Sequence, residues 1–356
     1  MVKGQWRHFG RSDALSKPRL AIVGIGQYYR KLESAINEYF TPVLKADIAE
    51  VQAAGGALKP MVLSSRPDAI LLLTPNQVHA KQILDLADLR IPTLVEKPLV
   101  TTEKDLDLVL ESLRVNPLLY CSDFYLDVRA APLLAWLGRP YSACLKKWIV
   151  VEADGNDLWG KGQFGVGAIK RVEAVLLEGE GPERSFDGRE WLWDPIHGGV
   201  LWDLAYHYVV LWHGLFDGAL SLVSHDAVRV RNALARPGAE TYATLELRSS
   251  TGIPFFVRVG KYQEHENQRS FRIVGRNGQA CMMFRDPDVF RIEAQAGESV
   301  AILTGGFYSH GVEAFREYVE SEPSRPHGLE HAIVATRLIA SVKQMQQATY
   351  NNSSSE

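Results

Sequence analysis

The chain has 356 residues, with 39 Lys and Arg against 42 Asp and Glu and a formal net charge of −3. This length predicts about two domains. No run of basic residues stands out, so the charge argues against nonspecific nucleic-acid binding. Because 46% of the residues are hydrophobic and 23% are charged, the composition excludes a disordered chain and is typical of a globular protein.

The cysteines and the first residues indicate a cellular location. Cys121, Cys144 and Cys281 include no CxxC pair, and their odd number leaves at least one unpaired. A reducing compartment fits this best, so we expect a cytoplasmic protein. Residues 1–17 carry four basic side chains without an apolar core, which favours an N-terminal arm over a signal peptide.

The apolar stretch at 198–216 has the length of a membrane span. Asp203, His207 and His213 interrupt it, and ionisable side chains are rare inside a bilayer. We therefore expect a buried helix with polar side chains and no membrane insertion.

Short apolar runs alternate with helix-like segments in the first third of the chain. This alternation predicts a parallel sheet with helices on both faces. The predicted strands cover 19–23, 39–45, 69–73, 91–95 and 118–121, and the predicted helices cover 27–39, 47–54, 80–89 and 103–113.

From about residue 124 the pattern changes to successive strands joined by short turns, with a hairpin signal at Asn277-Gly278. We expect an α+β domain with a large, open, mostly antiparallel sheet, on which helices at 311–320 and 328–346 pack. The predicted strands cover 144–151, 168–177, 227–230, 241–247, 254–259, 271–274, 280–284 and 289–293. The predicted organisation is an arm at 1–17, domains at 18–125 and 126–346, and a disordered tail at 347–356.

A glycine turn joins the first strand to the first helix. Gly24 permits the tight turn, and Gly26 lets the backbone approach a pyrophosphate, which the N–H groups of Gln27 and Tyr28 would face at the helix N-terminus. Asp47 lies 21 residues after Gly26, where a carboxylate accepts hydrogen bonds from the ribose of NAD. This pattern predicts a dinucleotide site. A strand-turn-helix corner without a ligand is the structural alternative.

Two features of this turn leave the dinucleotide open. Tyr29 stands where the dinucleotide-binding pattern usually has a third glycine. Arg30, Lys31 and Lys45 are cations that could receive a 2′-phosphate. We therefore expect NAD or NADP, with NAD slightly preferred.

Glu96-Lys97-Pro98 follows the predicted strand at 91–95. This position places Lys97 at the carboxyl edge of the sheet, where open α/β sheets bind ligands. Pro98 restricts the backbone of Lys97 and stiffens the turn. A surface lysine on a loop is the structural alternative.

Asp203 and His207 are four residues apart in a predicted apolar helix, which places them on one helix face. There a carboxylate fixes a histidine tautomer and raises its basicity. A core histidine with its partner is one alternative, and a metal site completed by His197 or His213 is another. Nearby tryptophans favour core or interface packing, with stacking on a sugar ring as the alternative. They are Trp159, Trp191, Trp193 and Trp202.

Taken together, these segments resemble the Gfo/Idh/MocA family of NAD(P)-dependent oxidoreductases from about residue 17 to 346. The matching segments are AIVGIG (21–26), LLLTPNQVH (71–79), VEKP (95–98), GGVLWDLAYH (198–207) and GLEHAIVATRLIASV (328–342). The resemblance implies a Rossmann domain followed by an α+β domain, a sugar-like substrate, and a homo-oligomer formed through the C-terminal sheet.

The resemblance also implies roles for individual residues. It places Thr74, Pro75, Asn76 and His79 along the cofactor, Glu96 near the nicotinamide ribose, and Lys97, Asp203 and His207 at the substrate, with a cis Lys97-Pro98 bond. We expect interconversion of a secondary alcohol and a ketone on a sugar, a polyol or a nucleotide-linked sugar. His207, oriented by Asp203, would be the base, and Lys97 would hydrogen-bond the reacting oxygen.

Three other functions remain open at this level. A catalytically silent NAD(P)-sensing regulator would use the same fold. A metal-dependent enzyme would use Asp203 and His207 with a neighbouring histidine. A third class retains the cofactor and performs dehydration or glycoside cleavage through a transient ketone.

Overall fold

The first sheet has five parallel strands in the order β2-β1-β3-β4-β5. The structure is a computed structural model that describes residues 16–53, 57–138, 146–153, 166–179, 190–216, 218–229, 239–261, 267–284, 288–295 and 297–353. The strands of this sheet are β1 Arg19–Val23, β2 Thr41–Ala46, β3 Ala69–Leu72, β4 Thr93–Val95 and β5 Leu119–Cys121. This is the parallel sheet that the alternating sequence pattern predicted.

The second sheet contains nine described strands in the order β6-β14-β13-β12-β11-β7-β10-β9-β8. β7 and β10 are parallel, and the other neighbouring strands are antiparallel. The fold class is therefore confirmed. The strands are β6 Trp148–Ala153, β7 Ile169–Leu177, β8 Leu220–Arg229, β9 Glu240–Ser249, β10 Pro254–Gly260, β11 Gln268–Gly275, β12 Gly278–Met283, β13 Val289–Ala294 and β14 Gly297–Leu303.

Helices cover both faces of the first sheet and join it to the second domain. One apolar core, which includes Leu20 and Ile22, runs without interruption into the second domain, while Ala21 and Val23 face a separate core. The described α-helices are α1 Gln27–Tyr39, α2 Ile48–Ala53, α3 Leu58–Ser65, α4 His79–Leu86, α5 Glu103–Ser112, α6 Ala131–Trp136, α7 Tyr206–Phe216, α8 Phe307–Glu320 and α9 Leu329–Ser353.

Two wide π-helical turns precede helices α6 and α7. They cover Tyr125–Arg129 and Leu201–Ala205. Single π turns with i→i+5 hydrogen bonds frequently occur at functional sites. Both turns carry side chains into the cavity described below.

Backbone hydrogen bonds continue beyond the ends of the first sheet's strands. Leu73 N–H donates to the Val23 carbonyl at 2.8 Å, Glu96 N–H to Leu72 at 3.0 Å, and Ser122 N–H to Val95 at 3.1 Å. Because parallel strands end at the same edge, these bonds hold three loops side by side. The sheet therefore brings residues from distant parts of the sequence to one edge.

Both C-terminal helices contact the first domain, in addition to the packing on the second sheet that was expected of them. Phe315 of α8 packs on Phe40 with ring centroids 5.7 Å apart, and Ala332 of α9 joins the first domain's second core. Helix α9 also continues to Ser353, so residues 347–353 are helical and the expected disordered tail is wrong there. Burial of apolar side chains such as Phe315 and Ala332 favours the contacts of these helices with the first domain.

Other expectations have mixed outcomes. The hairpin turn at Asn277-Gly278 is confirmed by the antiparallel pairing of β11 with β12. Strand β14 had no sequence prediction. Most of the N-terminal arm, Cys144 and Trp159 lie outside the described residues. Among the residues that the structure describes, no helix combines the length and apolarity needed to cross a bilayer.

Candidate active site

A cavity of about 550 Å³ lies where the carboxyl edge of the first sheet meets the second domain. Ligands of open α/β sheets bind at this edge. Eight residues predicted for the site line it: Gln27, Tyr28, Thr74, Asn76, Glu96, Lys97, Asp203 and His207. The other lining residues that are used below are Lys31, Tyr125, Glu178, Trp191, Lys261, Asn267, Arg269 and Tyr308.

The glycine turn has the geometry of an anion site. Gly24 has a φ of +95°, and a Cβ there would lie 2.6 Å from the Leu73 carbonyl carbon, so only glycine fits. Gly26 is the N-cap of α1, no side chain caps it, and a Cβ there would meet nothing within 4 Å. The N-terminus of a 13-residue helix thus faces open space without a carboxylate in its first turn. These residues fit a pyrophosphate.

Tyr29 is accommodated where a third glycine was expected. Its ring is 5% exposed, and its hydroxyl donates to Glu33 Oε1 at 2.7 Å. Lys45 contacts the same carboxylate oxygen at 3.1 Å and lies 5.2 Å from the Tyr29 ring centroid. Lys45 therefore already has partners within the protein, which weakens its suggested role towards a 2′-phosphate.

Asp47 lies beyond the cavity but beside the glycine turn. It follows Ala46, whose carbonyl accepts the Gly24 N–H at 2.8 Å. The residue is exposed. A ligand that extends from the glycine turn along this edge would reach Asp47, as a dinucleotide ribose would need to do.

Thr74 and Asn76 line the cavity, whereas Pro75 and His79 do not. Asn76 Nδ2 donates to the His197 carbonyl at 2.8 Å, which connects this loop to the second domain. His79 is fully buried, with Nδ1 2.9 Å from the Pro98 carbonyl oxygen and Nε2 2.8 Å from that of Thr74. The His79 ring therefore bridges the loops of Thr74 and Pro98, and its place along the cofactor stays a prediction.

Glu96 is a half-buried residue whose carboxyl group lines the cavity. Burial, with a smaller contribution from Asp123 and Asp203, raises the pKa of Glu96 to about 8 against the opposing effect of Lys97. The Tyr28 hydroxyl hydrogen-bonds to Glu96. A carboxyl group that is largely protonated at neutral pH can donate a hydrogen bond to a ligand.

Lys97 reaches across the domain boundary. The Lys97-Pro98 peptide bond is cis. Nζ donates to the Asp203 carbonyl at 2.7 Å and to Asp203 Oδ1 at 2.9 Å. Burial lowers the pKa of Lys97, but the carboxylates of Asp203 and Glu96 outweigh this effect and raise it. The ammonium group is therefore charged and held in position.

The expected Asp203–His207 pair is not present. His207 Nδ1 lies 3.0 Å from both carboxylate oxygens of Asp123, which follows strand β5. Two physical reasons explain the difference. Leu201–Ala205 forms a π turn, so the four-residue spacing does not align the two side chains as in an α-helix, and the lysines Lys97 and Lys261 both bind the Asp203 carboxylate.

His207 has the environment of a general base. Its ring stacks on Tyr125 with centroids 4.2 Å apart. Burial lowers the pKa of His207, and the Asp123 carboxylate only partly offsets this effect. A neutral imidazole that donates from Nδ1 to Asp123 keeps its lone pair on Nε2. The ring lines the cavity, so a substrate proton can be transferred there.

Sequence reasoning missed several residues of the site. Asp123, Glu178 and Lys261 each lie one or two residues beyond the end of a strand, namely β5, β7 and β10. Position at a strand end was a usable signal for Asp123, since it had already singled out Lys97. It was not usable for Glu178 and Lys261, because strand pairing in the second sheet cannot be read from the sequence.

The histidines proposed as extra metal ligands have other partners. His197 Nδ1 lies 2.5 Å from Thr101 Oγ1, and His213 Nδ1 lies 2.8 Å from His331 Nδ1. Within the described ranges, no group of three or more His, Cys, Asp or Glu is arranged to hold a metal ion.

Comparisons with known proteins identify both halves of the chain. Residues 16–123 match the oxidoreductase family with an NAD-binding Rossmann fold, and residues 164–281 match the GFO/IDH/MocA C-terminal domain. Inositol 2-dehydrogenase 2 of Mycolicibacterium vanbaalenii is 31% identical over 101 residues, which cover 24% of this chain and 30% of that relative. The aligned region thus spans less than a third of that protein.

Solved structures share the whole fold. The 3-ketoreductase KijD10 from Actinomadura kijaniata, in complex with NADP and TDP-benzene, has a TM-score of 0.68 at 18% identity, covering 91% of this chain and 96% of that one. An inositol dehydrogenase homolog from Azotobacter vinelandii, complexed with NADH and myo-inositol, has a TM-score of 0.68 at 14% identity, covering 91% and 94%. Both domain matches, in this order, show that the chain belongs to the Gfo/Idh/MocA family of NAD(P)-dependent oxidoreductases.

Proposed function

We propose that the protein interconverts a secondary alcohol and a ketone on a sugar-like substrate. The observation that carries this proposal is the convergence of an ammonium and an imidazole on one cavity. Lys97 is fixed by Asp203, and His207 is fixed by Asp123. One of the two groups can polarise the reacting oxygen while the other accepts or donates its proton.

The glycine turn and the neighbouring loops would hold the cofactor. Gly24 and Gly26 expose the start of α1, and Thr74, Asn76 and Glu96 line the adjoining wall. When bound, a nicotinamide cofactor supplies the hydride acceptor or donor. We favour NAD over NADP because Asp47 is exposed beside the turn and Lys45 is engaged with Glu33.

The protein's own groups would handle the proton. In the oxidative direction, the substrate hydroxyl gives its proton to His207 Nε2, and Asp123 stabilises the resulting imidazolium. Lys97 donates a hydrogen bond to the same oxygen and stabilises negative charge that develops on it. In reduction, the developing alkoxide receives a proton from the Lys97 ammonium or from the His207 imidazolium, both of which face the same oxygen.

Polar and aromatic side chains on the far wall of the cavity suit a polyhydroxylated ligand. Trp191 and Tyr308 offer ring faces, and Asn267 and Arg269 offer hydrogen-bond donors. Aromatic rings commonly combine an apolar face with a polar edge in such sites. The similar proteins include an inositol dehydrogenase and a 3-ketoreductase, which supports a sugar, polyol or nucleotide-linked sugar as substrate.

Titration with cofactor tests the first half of the proposal. We expect NADH to raise the melting temperature more than NADPH does at equal concentration, because binding to the native state alone stabilises it. Gly26→Ala serves as the control variant, because its affinity for the nucleotide should be lower and its melting temperature should rise less. No stabilisation by either nucleotide would refute the oxidoreductase assignment for this protein.

Turnover separates the enzyme from the NAD(P)-sensing alternative. A panel of inositols, aldoses and nucleotide-linked sugars should give absorbance at 340 nm from a reduced nicotinamide with at least one member. Cofactor binding without turnover of any member, together with unchanged behaviour of Lys97→Ala, would favour the sensor.

We also propose that the second sheet forms a homo-oligomer interface. Large apolar side chains on its strands are about half exposed, which is unusual for a surface that faces only water. They include Ile149, Val151 and Val223, at 51%, 50% and 50% exposure. Light scattering after gel filtration tests this: Val151→Glu with Val223→Glu should lower the measured mass, and a wild-type monomer would refute the proposal.

A further inference from the structure

We infer that Lys261 is a positioning residue that shares the Asp203 carboxylate with Lys97 and thereby weakens the hold of that carboxylate on the Lys97 proton. The inference rests on the proposed role of Lys97 in hydrogen bonding and proton transfer. Lys261 belongs to the second domain, and none of its described bonds joins it to the glycine turn or to His207.

Asp203 is bound by two ammonium groups, one on each carboxylate oxygen. Lys97 Nζ lies 2.9 Å from Oδ1, and Lys261 Nζ lies 2.9 Å from Oδ2. The side chains are buried: 13% of Lys97, 17% of Asp203 and 3% of Lys261 is exposed. At such burial, ion pairs are weakly screened and strongly affect one another.

Lys261 is held in place by the parallel pairing of β7 and β10. Leu177 pairs with Gly260 at the ends of these strands, so Glu178 and Lys261 emerge side by side. The Lys261 N–H donates to the Thr241 carbonyl at 2.9 Å. A Cβ on Gly260 would lie 2.8 Å from the Tyr242 ring, so glycine at this strand end permits the close approach.

Glu178 completes the support of Lys261. Its Oε2 accepts from Lys261 Nζ at 2.6 Å, and its Oε1 accepts from Arg269 Nη2 at 3.2 Å. The side chains therefore alternate in charge across the cavity, from Lys97 through Asp203, Lys261 and Glu178 to Arg269. This arrangement keeps Lys261 charged: burial lowers its pKa, but Asp203 and Glu178 outweigh that effect and raise it.

Lys261 opposes the effect of Asp203 on Lys97 in two ways. It neutralises part of the Asp203 charge, and it is itself a like charge across the same carboxylate. Besides Lys261, several titratable groups around the cavity interact electrostatically with Lys97. They are Glu96, Asp123, Tyr125, Asp203, His207 and Tyr308.

This sharing matters for proton transfer. An ammonium that is the sole partner of a carboxylate is a poor acid, because the ion pair stabilises its charged form. Because Lys261 also pairs with Asp203, Lys97 gives up its proton more readily to a developing alkoxide. Lys261 would thus tune the reaction without contacting the reacting atoms.

Trace acetylation measures the acidity of Lys97 directly. The full-length protein is labelled briefly with acetic anhydride at pH 9, and mass spectrometry gives the ratio of labelling at Lys97 to that at the exposed Lys104. In Lys261→Met we expect this ratio to fall about tenfold, since loss of a neighbouring like charge shifts a pKa by about one unit. In Lys261→Arg, which retains the charge, it should change less than about twofold.

Glu178→Gln is the second variant and predicts the opposite sign. Without the Glu178 carboxylate, Lys261 binds Asp203 alone and neutralises more of the Asp203 charge, so labelling of Lys97 should increase. The melting temperature should stay near that of the wild type. If Lys261→Met does not fold, the test rests on Glu178→Gln alone. The inference is overturned if the labelling ratio of Lys97 is unchanged in Lys261→Met. It is also overturned if the ratio is unchanged in Glu178→Gln when the test rests on that variant. An equal fall in Lys261→Met and Lys261→Arg overturns the inference as well.

The labelling needs neither cofactor nor substrate, so its outcome is separate from the proposed function. If labelling follows the expected pattern but no nucleotide stabilises the protein, the charge coupling stands and the oxidoreductase proposal fails. If nucleotide binding and turnover are found but labelling is unchanged, only the role of Lys261 is refuted.

Discussion

His207 Nδ1 lies 3.0 Å from both carboxylate oxygens of Asp123, a residue 84 positions earlier in the chain. This pair joins the end of the first sheet to the helix that follows the Leu201–Ala205 π turn. It sets the tautomer of His207 and leaves Nε2 for the substrate. The histidine proposed as the base is thus oriented across the domain boundary by Asp123, and not by Asp203 on its own helical segment.

Asp123→Asn should lower turnover by about 10²-fold or more, because an amide does not reproduce the carboxylate that orients and stabilises the imidazole. Steady-state kinetics with the identified substrate measure this loss. Asp127→Asn is the matched control, since Asp127 lies four residues after Asp123 and its Oδ1 lies 3.0 Å from His327 Nε2. Equal rates for Asp123→Asn and the wild type would refute the assignment.

Lys97→Ala and His207→Ala should each abolish most turnover, by about 10²- to 10⁴-fold, while the melting-temperature shift on cofactor addition persists. The two side chains act on the same oxygen, so the double variant should lose little more than either single one. Unchanged rates in both single variants would show that the reacting groups lie elsewhere.

Glu96→Gln should stabilise the cofactor-free protein at pH 8 and have little effect near pH 4.5. Burial raises the folded-state pKa of Glu96 to about 8 from 4.5. The folded state therefore keeps a proton that the unfolded state loses between these values, so stability falls as pH rises through this window. The glutamine, which cannot ionise, removes that dependence.

Melting temperatures of both proteins between pH 4.5 and 9 measure the effect of Glu96→Gln. Glu103→Gln changes an exposed carboxylate and should show no such pH dependence. A Glu96→Gln advantage that is absent at pH 8, or largest at pH 5, would contradict the raised pKa.

Gly24→Ala and Gly26→Ala should separate folding from cofactor binding. At Gly24 the added Cβ lies 2.6 Å from the Leu73 carbonyl carbon and φ is +95°, so we expect a loss of about 2 kcal/mol or more in unfolding free energy. At Gly26 nothing lies within 4 Å, so stability should persist while affinity for the nucleotide falls.

Urea denaturation and nucleotide titration of the two glycine variants provide both measurements. Equal nucleotide affinity in Gly26→Ala and the wild type would show that the backbone at Gly26 does not approach the ligand.

Lys343→Met should destabilise the protein by about 3–5 kcal/mol, because it leaves the buried Glu240 carboxylate without its charged partner. The two side chains are 4% and 0% exposed, with Nζ 2.7 Å from Oε2. Lys343 also donates to the Gly198 carbonyl at 2.9 Å, so this pair supports the turn before Asp203. Chemical denaturation of Lys343→Met, Glu240→Gln and the double variant tests the coupling.

The expected result for the Lys343 and Glu240 variants is a double variant that loses less than the sum of the two single losses. Strict additivity would show that the two side chains do not stabilise one another.

The sequence was informative wherever a local physical rule applied. Gly24 and Gly26 indicated a tight turn because few other residues adopt such a conformation or allow such an approach. Lys97 was placed at the ligand-binding edge because parallel strands all end at one sheet edge. Asn277-Gly278 predicted a hairpin from its turn chemistry. These features depend on a few neighbouring residues.

The sequence misled wherever a side chain had to choose among distant partners. The four-residue spacing of Asp203 and His207 suggested a pair on one helix face, but the π turn and the two lysines gave Asp203 other partners.

The sequence by itself therefore determined the fold class, the nucleotide-binding edge of the first sheet, and the presence of Lys97, Asp203 and His207 at the cavity. Only the tertiary structure decided which carboxylate pairs with which basic side chain: Asp123 pairs with His207, and Asp203 pairs with Lys97 and Lys261. The reason is that local conformation follows from steric rules along the chain, whereas ion pairs in a cavity depend on strand register and on which charges the fold brings within about 4 Å.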